Sequence, residues 1–164
     1  MFKLSMSNRT KLAAVAVIAV VALIALSSAA MANNNCKKVN GKFTLEVVTQ
    51  NCPSLVGLCA SGSYSGDLKG SSSFVGLAYV NPETDPTNVQ FVTGENIIHT
   101  SGGDIMTKDF ISFNTIGAGD FGEVDAVVGG TGDWEDATGY IRAIGTLPAG
   151  EIGQGDYIGE ICTE

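Results

Sequence analysis

The sequence predicts an all-β fold: a closed antiparallel barrel of eight strands, stapled by disulfides. Three observations carry that expectation. After Asn33 the apolar residues show almost no helical spacing and fall in short β-prone runs separated by Gly, Pro, Asn and Asp. There are eight such runs with short links, which suits a barrel or a sandwich. Glycine then favours the barrel. Gly62, Gly66 and Gly70, and again Gly155 and Gly159, recur at every fourth residue and so share a strand face, where they permit the coiling a small closed barrel needs.

The chain has 164 residues, about one domain's worth. From Leu12 to Leu26 every residue is Ala, Val, Ile or Leu; Lys3, Arg9 and Lys11 precede the run, and Ala30-Met31-Ala32 follows it. These are the three parts of a secretory signal peptide. The apolar run is shorter than the roughly 20 residues of a stable membrane-spanning helix. The expected organisation is a signal peptide over 1–32 and a single barrel domain over 33–164. The protein is then secreted or periplasmic, with no membrane span left after cleavage.

The strands follow in order. The first is expected over Gly41–Thr49, with Phe43, Leu45 and Val47 on one face. The second covers Ser61–Lys69 and the third Ser73–Val80. Asn81–Pro86 is a loop, because two prolines break any ladder. The fourth covers Val89–Thr100 and the fifth Asp104–Asn114, joined by Ser101-Gly102-Gly103. The sixth covers Phe121–Val128, the seventh Gly139–Leu147 and the eighth Asp156–Cys162.

Charge narrows the choice of partner. Residues 33–164 hold all 17 acidic residues but only six basic ones, a formal charge of −11. Such a chain is repelled by phosphate backbones, which excludes nucleic acid as a partner. All 21 glycines also lie there, with no period of three, which excludes a collagen-like fold.

Cys36, Cys52, Cys59 and Cys162 make an even count in an exported chain, which reads as two disulfides. Zinc is disfavoured: the closest pair is spaced C-x6-C, with no histidine nearby. Barrel topology chooses the pairing. The last strand of an up-and-down barrel closes against the first, which puts Cys162 beside Cys36. Cys52 and Cys59 flank the link between the first two strands at the other end. The expected bonds are Cys36–Cys162 and Cys52–Cys59.

The most distinctive segment is Val128-Gly129-Gly130-Thr131-Gly132-Asp133-Trp134-Glu135-Asp136-Ala137-Thr138-Gly139-Tyr140. It lacks the glycine spacing of a dinucleotide loop, and no helix follows it. Its glycines permit a tight connection, so that Trp134 and Ala137 fold back as a plug over one barrel end. The segment resembles the GGTG-x-aromatic-x-x-A-x-G signature of the allene oxide cyclase and dirigent barrel superfamily. Cys36, Cys52-Pro53 to Cys59, and Gly159-Glu160-Ile161-Cys162 are similar in pattern to secreted bacterial proteins of that type. The resemblance implies a calycin-like eight-stranded barrel with an apolar interior. The first strand, Gly41–Val47, lacks the acidic, proline-containing signature of the plant cyclases.

Candidate chemistry is sparse. There is no G-x-S-x-G elbow, and His99 is the only histidine. On the fourth strand Val89, Phe91, Thr93, Glu95, Ile97 and His99 share the bulkier face, which is expected to point inward. On the fifth, Ile105, Thr107, Asp109, Ile111 and Phe113 share the apolar face. Glu95, His99 and Asp109 then form the one acid–base constellation available, and Phe91, Thr107, Asp109 and Phe113 line the ligand space. Asp120, Glu123 and Asp125, and likewise Asp133, Glu135 and Asp136, read as solvated acidic loops, since no EF-hand spacing is present. Tyr64, Tyr79, Tyr140 and Tyr157 read as sheet packing. No metal or cofactor is expected. The function expected is a secreted, non-enzymatic barrel that binds a small apolar ligand or serves a structural or interaction role, as a monomer or an oligomer. The alternative is an isomerase or cyclase acting on a small lipophilic substrate in the barrel.

Overall fold

The structure, a computed structural model, describes residues 35–80 and 88–163. The leader over 1–32 and the Asn81–Pro86 loop lie outside the described residues. The described chain is all-β, with strands β1 (Asn35–Val47), β2 (Cys59–Gly66), β3 (Gly70–Tyr79), β4 (Val89–Thr100), β5 (Gly103–Asn114), β6 (Asp120–Gly130), β7 (Thr138–Thr146) and β8 (Gly153–Thr163). Each strand pairs antiparallel with its chain neighbours, and β8 closes on β1 to complete the barrel. Among the described residues no helix is long and apolar enough to cross a membrane.

The period-two pattern sets the inner face. On β5, buried Ile105, Thr107 and Asp109 alternate with exposed Met106, Lys108 and Phe110. Register carries the face around the barrel: Gly94 pairs Asp109, Asp109 pairs Asp125, and Asp125 pairs Ile141. A bulge on β6 opposite Met106 and Thr107 adds Val128, so that Val127 is buried and Val128 exposed.

Several boundaries differ from expectation. β1 starts at Asn35 rather than Gly41, because the Asn35–Asn40 run, polar apart from Cys36 and Val39, pairs with Thr163–Ile158 of β8. β8 likewise starts at Gly153 rather than Asp156, held by Thr146 of β7 and Leu45 of β1. β2 ends at Gly66 instead of Lys69, and Gly70 opens β3. Leu68, in the turn between them, is fully buried: it folds over the barrel end as an apolar cap. The glycine series 62, 66, 70 therefore spans two strands.

One half of the barrel is filled. Val39, Leu68, Ile98, Ile105, Val127, Ala137, Ile141 and Ile161 pack there with less than a tenth of each exposed. The glycine-rich link from β6 to β7 covers this end as a plug. Gly132 sits at φ 62°, and a side chain there would strike the Gly102 carbonyl. The Trp134 indole N–H donates to Thr100 Oγ1 at 2.9 Å, while Ala137 is buried beneath. Asp133, Glu135 and Asp136 on the plug are exposed, as expected of a solvated loop. The disulfides are Cys36–Cys162 and Cys52–Cys59, one at each end.

Tyr157 ties the β2–β3 turn to β8. The Leu68 N–H donates to its hydroxyl at 2.8 Å, and that hydroxyl donates to the Ser65 carbonyl at 3.1 Å. Tyr157→Phe strands a buried N–H, so urea denaturation is expected to show a loss of about 1–3 kcal/mol. An unchanged midpoint would mean that these bonds add nothing net.

Candidate functional site

The other half of the barrel holds a cavity of about 130 Å³. Its walls are mostly apolar: Phe43, Leu45, Ala60, Phe74, Ile111, Phe113 and Phe121, with Val47, Leu58 and Leu147 toward the end that carries the Cys52–Cys59 bond. The Phe43 ring meets Phe121 edge-on at 5.5 Å and Tyr64 at 6.1 Å, and Tyr64 meets Tyr157 at 5.2 Å. These rings fix one wall.

The polar groups gather at the floor. Asp109 of β5 and Asp125 of β6 face each other across the ladder, and Glu123 follows on the same inner face. One carboxylate oxygen from each lies within 4.8 Å of those from the other two, close enough for one cation to bridge them. Asp109 and Asp125 are buried, while Glu123 is partly buried and lines the cavity. Among the described residues neither oxygen of Asp109 or of Asp125 has a hydrogen-bond partner, and the Oδ1 of buried Asn96 has none either. Asn96 lines the same cavity.

Burial without a countercharge controls the protonation of these acids. Burial lifts Asp109 to about 7. Burial, and then the charge of Asp109, lifts Glu123 to about 8. Asp125 is held well above the usual carboxylate range by burial, and next by Glu123 and Asp109. The Tyr64 phenol is pushed up by burial and then by the charges of the same three acids, and Tyr64 lines the same cavity.

The inner face of β4 is the reverse of the one expected. Val92, Gly94, Asn96 and Ile98 point inward; Glu95 and His99 lie exposed outside. Glu95 pairs with Lys108, and His99 Nδ1 meets Asp104 at 2.8 Å. Phe91 also faces out, stacked on Phe110 with ring centroids 6.0 Å apart. The apolar bulk of Phe91 and Ile97 misled the face assignment because β3 supplies the filling: a side chain at Gly94 would strike the Phe74 ring. The constellation of Glu95, His99 and Asp109 is therefore not brought together.

Thr107, Asp109 and Phe113 lie on the inner face of β5, Phe113 against the cavity. Thr107 Oγ1 donates to the Asn96 carbonyl at 3.4 Å. Of the tyrosines, Tyr64 and Tyr157 are interior, whereas Tyr79 and Tyr140 are exposed.

Glu123 and Asp125 correct the solvated-loop expectation; only Asp120 of that cluster is exposed. The signal was present in the alternation of β6. Phe121, Glu123, Asp125 and Val127 share one face, and the bulky ends of that set are a core pattern. Cys36, Cys162 and Glu160 also lie close together, but both thiols are committed to the disulfide. Comparison of the chain with protein-family models, with curated proteins and with solved structures finds no match to any of them.

Proposed function

We propose that this protein is an exported, non-catalytic barrel that takes up a small, largely apolar ligand. The observation that carries the reading is the cavity, apolar on its walls and placed in the unfilled half of an otherwise packed barrel. Cavities of this size with apolar linings bind benzene-sized molecules. The two disulfides support an oxidising compartment outside the cytoplasm, in keeping with a signal peptide over 1–32. The plug segment over Gly129–Gly139 supports kinship with the allene oxide cyclase and dirigent barrels.

Native mass spectrometry of the exported protein is expected to find a retained small molecule. In a thermal-shift titration, benzene at about 100 times its Kd stabilises by about 2.7 kcal/mol. A midpoint unmoved by benzene and cyclopentanol alike overturns the reading and leaves a structural or interaction role.

A second reading, an isomerase or cyclase of a lipophilic substrate, is favoured by one observation: Glu123 and Tyr64 face the same apolar space, as a proton donor and acceptor would. Turnover of an unsaturated epoxide by the wild type, lost in Asp109→Asn and kept in Glu135→Gln, would select this reading.

A further inference from the structure

Among the described residues the buried carboxylates of the barrel interior gather in one place. Every lysine and arginine among the described residues, Lys37, Lys38, Lys42, Lys69, Lys108 and Arg142, is exposed, and so is His99. Among the described residues no cation therefore reaches Asp109, Glu123 and Asp125, and the unliganded barrel keeps them neutral by holding their protons rather than by pairing them. A buried carboxylate without a partner costs several kcal/mol. Asn96 turns an unpaired amide oxygen toward the same interior. An amide oxygen and carboxylates accept hydrogen bonds and share an attraction for positive charge. The floor is thus built for a donor that carries its own charge.

The walls decide what kind of cation this is. A bare metal ion would satisfy the acids and leave the apolar cavity unfilled. An organic cation satisfies both: its hydrocarbon part replaces water against Phe43, Phe113 and Phe121, and its charged end reaches Glu123, the acid that lines the cavity. Asp109 and Asp125 stand directly behind Glu123 and deepen the negative field at that point.

We propose that the ligand is a small primary amine, with a hydrocarbon part of about five or six carbons and an ammonium group bound at Glu123 in the field of Asp109 and Asp125. The proposal rests on the reading of the cavity as a ligand site and adds the chemistry of the ligand. Such an ammonium donates up to three hydrogen bonds, and Glu123, the unpaired Asn96 Oδ1 and Tyr64 are among the acceptor-bearing residues that line the cavity.

The test is calorimetric titration of the disulfide-bonded protein at pH 8 with cyclopentylamine, cyclopentanol and cyclopentanecarboxylate. The amine is expected to bind at least about tenfold more tightly than the alcohol, as a charge-assisted hydrogen bond in a desolvated site implies, and the carboxylate not at all. Glu123→Gln, which keeps shape and removes charge, is expected to abolish the preference, so that amine and alcohol bind the variant with equal affinity. Equal affinity of the wild type for amine and alcohol overturns the amine proposal and leaves the apolar-ligand reading standing. Absence of binding by both overturns the two together. An amine preference that survives Glu123→Gln overturns the assignment to this floor. So does stabilisation by calcium chloride, abolished by a chelator, in a protein indifferent to the amine.

Discussion

Cys36→Ser combined with Cys162→Ser is expected to lower the unfolding free energy by about 5 kcal/mol, the larger of the two disulfide effects. The reason lies in the unfolded chain. The bond joins positions 126 residues apart, nearly the whole barrel, and so removes much of the freedom of the open chain. On the same loop-entropy argument Cys52–Cys59, separated by 7 residues, contributes about 2.5 kcal/mol. The native sheet adds a second reason: the long bond staples the β1–β8 seam where the barrel closes. Denaturant titrations of the two double-serine variants check both figures. An order reversed between the two bonds would show that strain or residual structure, rather than loop length, governs their contribution.

The same seam shows how far the sequence was legible. The pairing of Cys36 with Cys162 followed from strand order, because a closed meander leaves its first and last strands as neighbours. The inner face of β5 was readable because Ile105, Ile111 and Phe113 outweigh Met106, Lys108, Phe110 and Ser112 on the outer side. On β4 the same weighing failed. There the interior volume is filled from β3 by Phe74, so the inward residue is Gly94, and no count along β4 alone can register that. On β6 the failure was one of chemistry. Two acids within three residues read as solvated, because isolated carboxylates avoid cores. The flanking Phe121 and Val127 carried the opposite signal, and the ladder settled it by setting Asp125 against Asp109. The extent of β1 and β8 was obscure for a simpler reason. Polar residues with one face in water pair as well as apolar ones once the barrel has closed.

The acidic floor gives the protein an unusual pH dependence, and the effect is large. Asp109 titrates at about 7 and Glu123 at about 8 in the folded chain, both above the ordinary range of Asp and Glu in an unfolded one. Asp125 is displaced in the same direction. Above about pH 4 the unfolded chain has released these protons, while the native barrel keeps them. The native state then binds more protons, and stability falls as the pH rises. The stabilisation from protonated acids is complete below the unfolded pKa values. It declines by about 1.4 kcal/mol per pH unit for each such carboxyl and is spent once the pH passes the folded values. Between pH 4 and pH 8 the floor is therefore expected to withdraw several kcal/mol, opposite in sign to acid denaturation driven by salt-bridged carboxylates. The measurement is denaturant unfolding across this range for the wild type and for the Asp109→Asn/Glu123→Gln/Asp125→Asn variant. The amides carry no titrating proton, so the difference between the two curves isolates the floor from the surface charges. The variant is expected to gain on the wild type steadily up to about pH 8 and to hold its advantage beyond. Parallel curves would mean that the three acids are as well solvated in the native barrel as in the unfolded chain, and would remove the electrostatic basis for a cationic ligand.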